Sequence, residues 1–255
     1  MEFFDSHAHY NDERFDEDRE EILLKLYNEE NLTRMVVPGY NLEKSKYAVE
    51  LAKNYDFLYS TVGISPNDLE DYSKEALEQI ERLAKEPKVV AVGEIGLDYY
   101  WNKENKELQK EAFISQIEIA NKLDLPIVIH NRDAYLDTIQ ILKKHPVKKR
   151  GIFHCCQLNQ ELIKEALKLD FYISFSGNIT FKSAKSEGPV GLVPMDRILI
   201  ETDSPYLTPE PYRGKRNDSS KVKLVAQKIA EIKGISIEEV AKASYENANT
   251  IYQIN

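Results

Sequence analysis

The sequence is short of the features that would assign it quickly. Its 255 residues include two cysteines, Cys155 and Cys156, and they are adjacent. Adjacent thiols suit neither an ordinary disulfide framework nor the C-x-x-C spacing of a structural zinc site, so they read as small residues of the core or site in a reducing compartment. No stretch is rich in Pro, Gly or Ser, none is of low complexity, and no repeat of roughly 20 to 50 residues recurs, which leaves no linker and argues against a solenoid. No run approaches the ~18 apolar residues of a membrane span, and the first residues carry acids and histidines where a signal peptide has a basic region and a long apolar run. A cytoplasmic protein with no membrane partner is expected. Positive charge is also scarce: 34 Lys and Arg stand against 43 Asp and Glu, a formal net charge of -9 that speaks against a large basic groove holding nucleic acid by counterion release. A phosphate substrate would have to be gripped locally, by metal ions and a few arginines. No G-x-G-x-x-G or P-loop is present.

What is there is an alternation. The chain is 42% apolar, and its length suits one α/β barrel of about 250 residues; with no linker, a single domain over residues 1–255 is expected. Short runs of Val, Ile and Phe alternate with amphipathic helical stretches. Strands are read near Phe3–Asp5, Met35–Pro38, Leu58–Val62, Val89–Val92, Ile127–His130, Gly151–His154, Tyr172–Phe175 and Ile198–Glu201. Eight strand–helix units predict a (β/α)8 TIM barrel rather than an open doubly wound sheet. The stretch Ser183–Pro189 is a poor seventh helix, and the tail from Ser219 to Ile254 supplies helices that close the ring, including an extra C-terminal one.

The candidate ligands fall on that frame in order. His7 and His9 follow the first apolar run one residue apart, so in extended chain both imidazoles leave the same face. Glu94 follows the fourth run, His130 ends the fifth, His154 ends the sixth and Asp203 follows the eighth. Strand C-termini of a parallel barrel share one rim, the face that carries active sites. Each residue alone has an ordinary explanation as a strand-capping histidine, a helix cap or an ion-pair partner. Four of the five histidines on one rim, with only His145 elsewhere, argue for a shared metal site. Four imidazoles and two carboxylates exceed the needs of one four-coordinate ion and predict two divalent cations about 3.5–4 Å apart. Mixed nitrogen and oxygen donors suit Zn or Mn, and Mg less well. Such a pair acidifies water and clamps the oxygens of a displacement, which is hydrolytic chemistry at a phosphoryl or carbonyl centre.

These residues sit in blocks that resemble the TatD family of metal-dependent deoxyribonucleases, within the amidohydrolase superfamily. The blocks are Asp5-Ser6-His7-Ala8-His9, Gly93-Glu94-Ile95-Gly96-Leu97-Asp98-Tyr99, Ile129-His130-Asn131-Arg132-Asp133-Ala134, Phe153-His154-Cys155, and Glu201-Thr202-Asp203-Ser204-Pro205-Tyr206-Leu207 followed by Arg213-Gly214-Lys215-Arg216-Asn217. The resemblance implies that His7, His9, Glu94 and Asp203 hold one metal and that Glu94, His130 and His154 hold the other. It further implies that Glu94 and Asp203 are the catalytic carboxylates, with Asp203 helping to activate water, and that DNA is the substrate, cleaved as by a 3′→5′ exonuclease. The sequence departs from the family where substrate is touched. The usual Val-Gly-x-His-Pro-His is here Val62-Gly63-Ile64-Ser65-Pro66-Asn67, the block after His154 reads Cys155-Cys156-Gln157-Leu158, and Ser219 stands where a proline is usual.

Substrate contacts are therefore assigned to Ser65, Asn67, Arg213 and Arg132, with a structural ion pair as the alternative for Arg132. Tyr99, Tyr100 and Trp101 either stack on nucleobases or pack under a loop. Glu201 is read as supporting a ligand rather than binding metal. Lys148, Lys149 and Arg150 precede the sixth strand and belong to the opposite, solvated face. Two other functions remain open: hydrolysis of an amide or ester carbonyl, as in amidohydrolase relatives or an aminoacyl-tRNA deacylase, and a non-catalytic barrel serving as a scaffold.

Overall fold

Runs of β-branched and aromatic residues form eight strands: β1 (Phe3–Asp5), β2 (Leu32–Pro38), β3 (Leu58–Val62), β4 (Val89–Asp98), β5 (Ile127–Arg132), β6 (Gly151–Phe153), β7 (Tyr172–Phe175) and β8 (Ile198–Ile200). They pair in chain order as one sheet, and every pair is parallel. Eight strands alternating with helices make a nearly closed (β/α)8 barrel, as the sequence pattern predicts. This computed structural model describes residues 1–254, so Asn255, the last residue of the expected domain, lies outside them. Among the described residues no ladder forms between β8 and β1. That seam is carried just beyond the strands by Ser6 N donating to Ile200 O (3.1 Å), Asp203 N to His7 O (3.0 Å) and His9 N to Ser204 O (2.7 Å).

The helices are α1 (Arg19–Glu29), α2 (Leu42–Asn54), α3 (Lys74–Leu83), α4 (Lys106–Leu123), α5 (Tyr135–Lys144), α6 (Gln160–Lys168), α7 (Glu187–Leu192), α8 (Val222–Lys233) and α9 (Ile237–Tyr252). Local chemistry sets their ends. Asn41, Ser73 and Asn159 accept first-turn amides of α2, α3 and α6, and Ser236 with Glu239 forms a reciprocal cap on α9. The expected weakness before β8 is real: α7 has six residues, with Pro189 confined to its first turn, where its missing N–H has no intrahelical partner to lose. No helix of the described residues is long and apolar enough to cross a membrane.

Side chains alternate along the strands into two apolar layers. Phe3, Met35, Leu58, Ile127 and Ile173 belong to the large layer shared with the helices. Phe4, Val36, Val90, Val128, Ile152 and Leu199 form the second, and α9 joins it through Ala248, Ile251 and Tyr252. Tyr252 stacks on Phe4 with centroids 6.0 Å apart and donates its hydroxyl to Ser6 O (3.0 Å). The extra C-terminal helix thus packs on the inward-facing layer and braces the segment that carries His7.

Three strands run longer than read: β2 starts at Leu32, β5 continues past His130 to Arg132, and β4 differs most. β4 runs to Asp98, six residues past Val92, because the ladder shifts register between Val92 and Ile95 and then resumes with Ile95 opposite Ile129, Gly96 opposite His130 and Asp98 opposite Arg132. Glu94 sits inside that bulge, its N–H turned to Gly39 O (2.7 Å), instead of at a strand end. β1 ends at Asp5, as the sequence reading has it, so His7 and His9 lie just beyond it.

Candidate metal centre

Each ligand candidate is placed by a different local device. The extended segment after β1 is pinned on both sides, to Val36 O by Ala8 N (3.0 Å) and to Ser204 O by His9 N, which brings the Nε2 atoms of His7 and His9 to 3.2 Å. The β4 bulge aims Glu94 inward. His130 lies within β5, while His154 follows β6 directly. Asp203 follows β8 with φ at +55°, a conformation that L-residues rarely adopt and that the seam hydrogen bond to His7 O maintains.

The six side chains converge at the head of the barrel. Glu94 Oε2 is 3.5 Å from His7 Nε2 and 3.9 Å from His9 Nε2; Asp203 Oδ1 is 3.8 Å and 3.2 Å from the same two atoms. The other Glu94 oxygen, Oε1, faces His130 Nδ1 at 2.8 Å and His154 Nε2 at 3.1 Å. The rings of His7 and His154 stack at 4.0 Å. Donor atoms of three overlapping sets, His7–His9–Glu94, His7–His154–Asp203 and Glu94–His130–His154, lie within 4.8 Å of one another.

Partners behind the ring are as informative as the ring itself. His130 turns Nε2 to Asp98 Oδ2 (2.9 Å), and His154 turns Nδ1 to Glu201 Oε1 (3.3 Å). With each outer nitrogen facing a carboxylate that accepts its proton, the inner nitrogen of both rings is the one turned toward Glu94 and the one that would ligate a cation, which is how histidines are oriented around metals. Glu201 therefore stands where the sequence reading put it, as a support. The sequence analysis assigns Asp98 no role, although a strand continued past Glu94 places residues 94, 96 and 98 on one face.

Titration behaviour tests whether the set fits a cation. Burial alone would raise Glu94, yet the facing imidazoles of His154, His130 and His7 hold it well below the carboxylate range. Burial likewise opposes charge on His130, but Asp98 and Glu94 outweigh it and push the imidazole up to about 9. His154 is raised well above its ordinary value against the same burial by Glu94 and Glu201. Asp203 is lowered, its desolvation overcome by His9, His154 and His7. Buried carboxylates draw protons onto His130 and His154, whereas burial and the facing His154 lower His7; nitrogen and carboxylate oxygen donors of this kind fit divalent metal.

The cavity above these groups measures about 620 Å³ and is lined also by Tyr40, Ser65, Asn67, Trp101, Arg132, Cys155, Gln157, Asn178 and Tyr206. Ser65 donates to Asp68 Oδ2 (2.5 Å) and Asn67 to Asp98 Oδ2 (3.2 Å), so both predicted contacts reach the wall with a hydrogen bond already committed. Arg132 lines the cavity without any carboxylate partner among the described residues, lying instead 3.9 Å over the Tyr100 ring, so the ion-pair alternative is not what the structure contains. Arg213 is not on the wall; it is exposed, 4.1 Å over the Phe181 ring. Arg216 is tied to Asp18 and to Arg14 O. His145, as expected, is elsewhere, in a hollow between α4 and α5.

With this geometry in hand, comparison with known proteins is specific. The sequence matches the family described as TatD related DNase over residues 4–253. It is 46% identical over 254 residues to the uncharacterized metal-dependent hydrolase YabD of Bacillus subtilis, covering 99% of each chain. It is 40% identical over 222 residues to the uncharacterized metal-dependent hydrolase YcfH of Escherichia coli, covering 86% of this chain and 81% of that one. The crystal structure of YjjV, a TatD homolog from Escherichia coli, superposes with a TM-score of 0.94 at 28% identity, covering 99% and 98%.

Proposed function

Because the chain belongs to the TatD-related DNase family of metal-dependent hydrolases, we propose that its cavity cleaves phosphodiester bonds of DNA, working inward from 3′ ends. The observation that carries this reading is the sharing of Glu94, whose two oxygens face two separate groups of imidazoles. His7, His9, Glu94 and Asp203 would hold one divalent cation, and Glu94, His130 and His154 a second. When bound, such cations polarise phosphoryl oxygens and make water at the site more acidic. The chain does the rest. Asp203, kept ionised by His9, is the group suited to take the proton of the attacking water, and its unusual backbone holds the carboxylate toward the cavity. Asp98 and Glu201 hold His130 and His154 in the tautomers that leave the inner nitrogens free.

One observation favours a carbonyl substrate instead. Arg132 is the cavity's one lining guanidinium among the described residues, and Asp68 and Asp98 lie beside Ser65 and Asn67, so phosphate charge meets few cations apart from metal. A single experiment separates the readings. Purified protein is assayed with Mg, Mn and Zn on 5′-labelled single-stranded DNA and on an aryl ester. Metal-dependent shortening of the DNA, lost in Glu94→Gln while the circular dichroism spectrum is kept, is expected; ester hydrolysis with intact DNA would overturn the nuclease reading.

A further inference from the structure

Resting on the nuclease reading, we infer that Tyr100, Trp101 and Arg132 form a subsite for an unpaired nucleobase next to the bond being cut. Trp101 is the only tryptophan in the chain, and it is 66% exposed, with Tyr100 beside it at 46%. Large aromatic surface left in water is unfavourable, so a reason is needed for holding it there. A floppy loop is not that reason. Asp98 Oδ1 accepts the N–H groups of both Tyr100 and Trp101 at 2.9 Å. The buried Gln109 closes the same loop from below, accepting from Asp98 N (2.8 Å) and donating to Asp98 O, Asn102 O and the Asn105 side chain. The indole is thus presented by a fully hydrogen-bonded turn.

Position and charge identify the occupant. Trp101 and Arg132 line the same cavity as Glu94, His130 and Asp203. The Arg132 guanidinium lies 3.9 Å over Tyr100 and 5.4 Å from the centroid of Trp101, whose ring is perpendicular to that of Tyr100. Across the cavity, Arg14 lies 4.1 Å over Tyr206 in a similar stack, but Asp12 neutralises it through two hydrogen bonds. Arg132 has no such partner among the described residues and keeps its charge for a ligand. A cation held among aromatic faces at a cavity mouth matches a flat base attached to a phosphate: the base stacks and the guanidinium answers the phosphate. The link through Asp98 to His130 ties this platform to the metal-binding ring.

The test uses metal-replete protein and a fluorescein-labelled single-stranded DNA whose phosphorothioate linkages resist cleavage. Anisotropy should show Kd about tenfold higher for Trp101→Ala than for wild type, with Trp101→Tyr restoring most of the affinity. Wild-type emission, which comes from Trp101 alone among tryptophans, should be quenched as the strand binds. An abasic strand of equal length carries the same charge without bases, and on it Trp101→Ala and wild type should bind alike. Equal Kd values for Trp101→Ala and wild type on the base-bearing strand, or equal losses on both strands, would overturn the subsite. Cleavage of unmodified DNA that ignores Trp101 would sink the subsite and leave the nuclease; Trp101-dependent binding with no cleavage in any metal would do the reverse.

Discussion

Asp98 shows how much chemistry one side chain can join. Its Oδ2 accepts from His130 and Asn67, and its Oδ1 from two backbone amides of the aromatic turn. Those four donors explain why the carboxyl is lowered to about 2 although burial works the other way. An isosteric amide cannot accept at both positions equally well, and it offers no negative charge to the imidazolium-like donor. Asp98→Asn should therefore lower metal affinity at the Glu94–His130–His154 group about 10- to 100-fold, the usual cost of losing a partner behind a ligating histidine. Competition titration with a chromophoric chelator reads this directly, and unchanged affinity would show that His130 is oriented by Glu94 alone. Ser65 and Asn67 belong to the same scale. They occupy the wall as neutral donors already engaged with Asp68 and Asp98, and a charged imidazole at either place would meet that carboxylate before it met substrate.

Among the elements, β4 decides most. Its register shift between Val92 and Ile95 turns Glu94 into the barrel, and its continuation through Asp98 brings the supporting carboxylate onto the same face. Gly96 makes the continuation possible. It sits at φ +142°, and a Cβ there would lie 2.0 Å from the carbonyl oxygen of His130, inside any contact distance. Gly96→Ala should cost about 1–3 kcal/mol for the backbone conformation, with the clash added, and should displace β5 where it carries His130. Urea unfolding gives the first effect, and metal titration the second. A variant as stable as wild type, with full metal affinity, would mean that the two strands can part there without cost.

For the molecule as a whole, metal and fold should be coupled, because the candidate ligands come from both sides of the barrel seam and from three further strands or strand ends. An ion held at a hundredfold excess over Kd adds about 2.7 kcal/mol, which for a chain of this size raises Tm by roughly 5–10 °C. EDTA should remove that increment, and calorimetry on protein verified as metal-free checks it. In the metal-free protein His130 is raised to about 9 from its ordinary 6.5. A raised imidazole contributes stability that is complete below the unfolded value and is lost as pH climbs through the folded one, so metal-free Tm should fall between about pH 6.5 and 9. Metal-replete protein should not show that fall, since ligating imidazoles are already unprotonated. What the sequence determined by itself is the barrel and the six residues at its head, because both are written in local patterns: apolar runs of strand length, and polar ligands directly after them. The supporting partners and the substrate wall were decided only in three dimensions. Asp98, Tyr206 and the Arg132–Tyr100 stack depend on where a bulge resumes its ladder and on how loops from different strands meet, and Arg213 left the cavity because Phe181, 32 positions away in sequence, offered its ring. Contacts of that kind follow from packing between distant segments, which no short-range periodicity records.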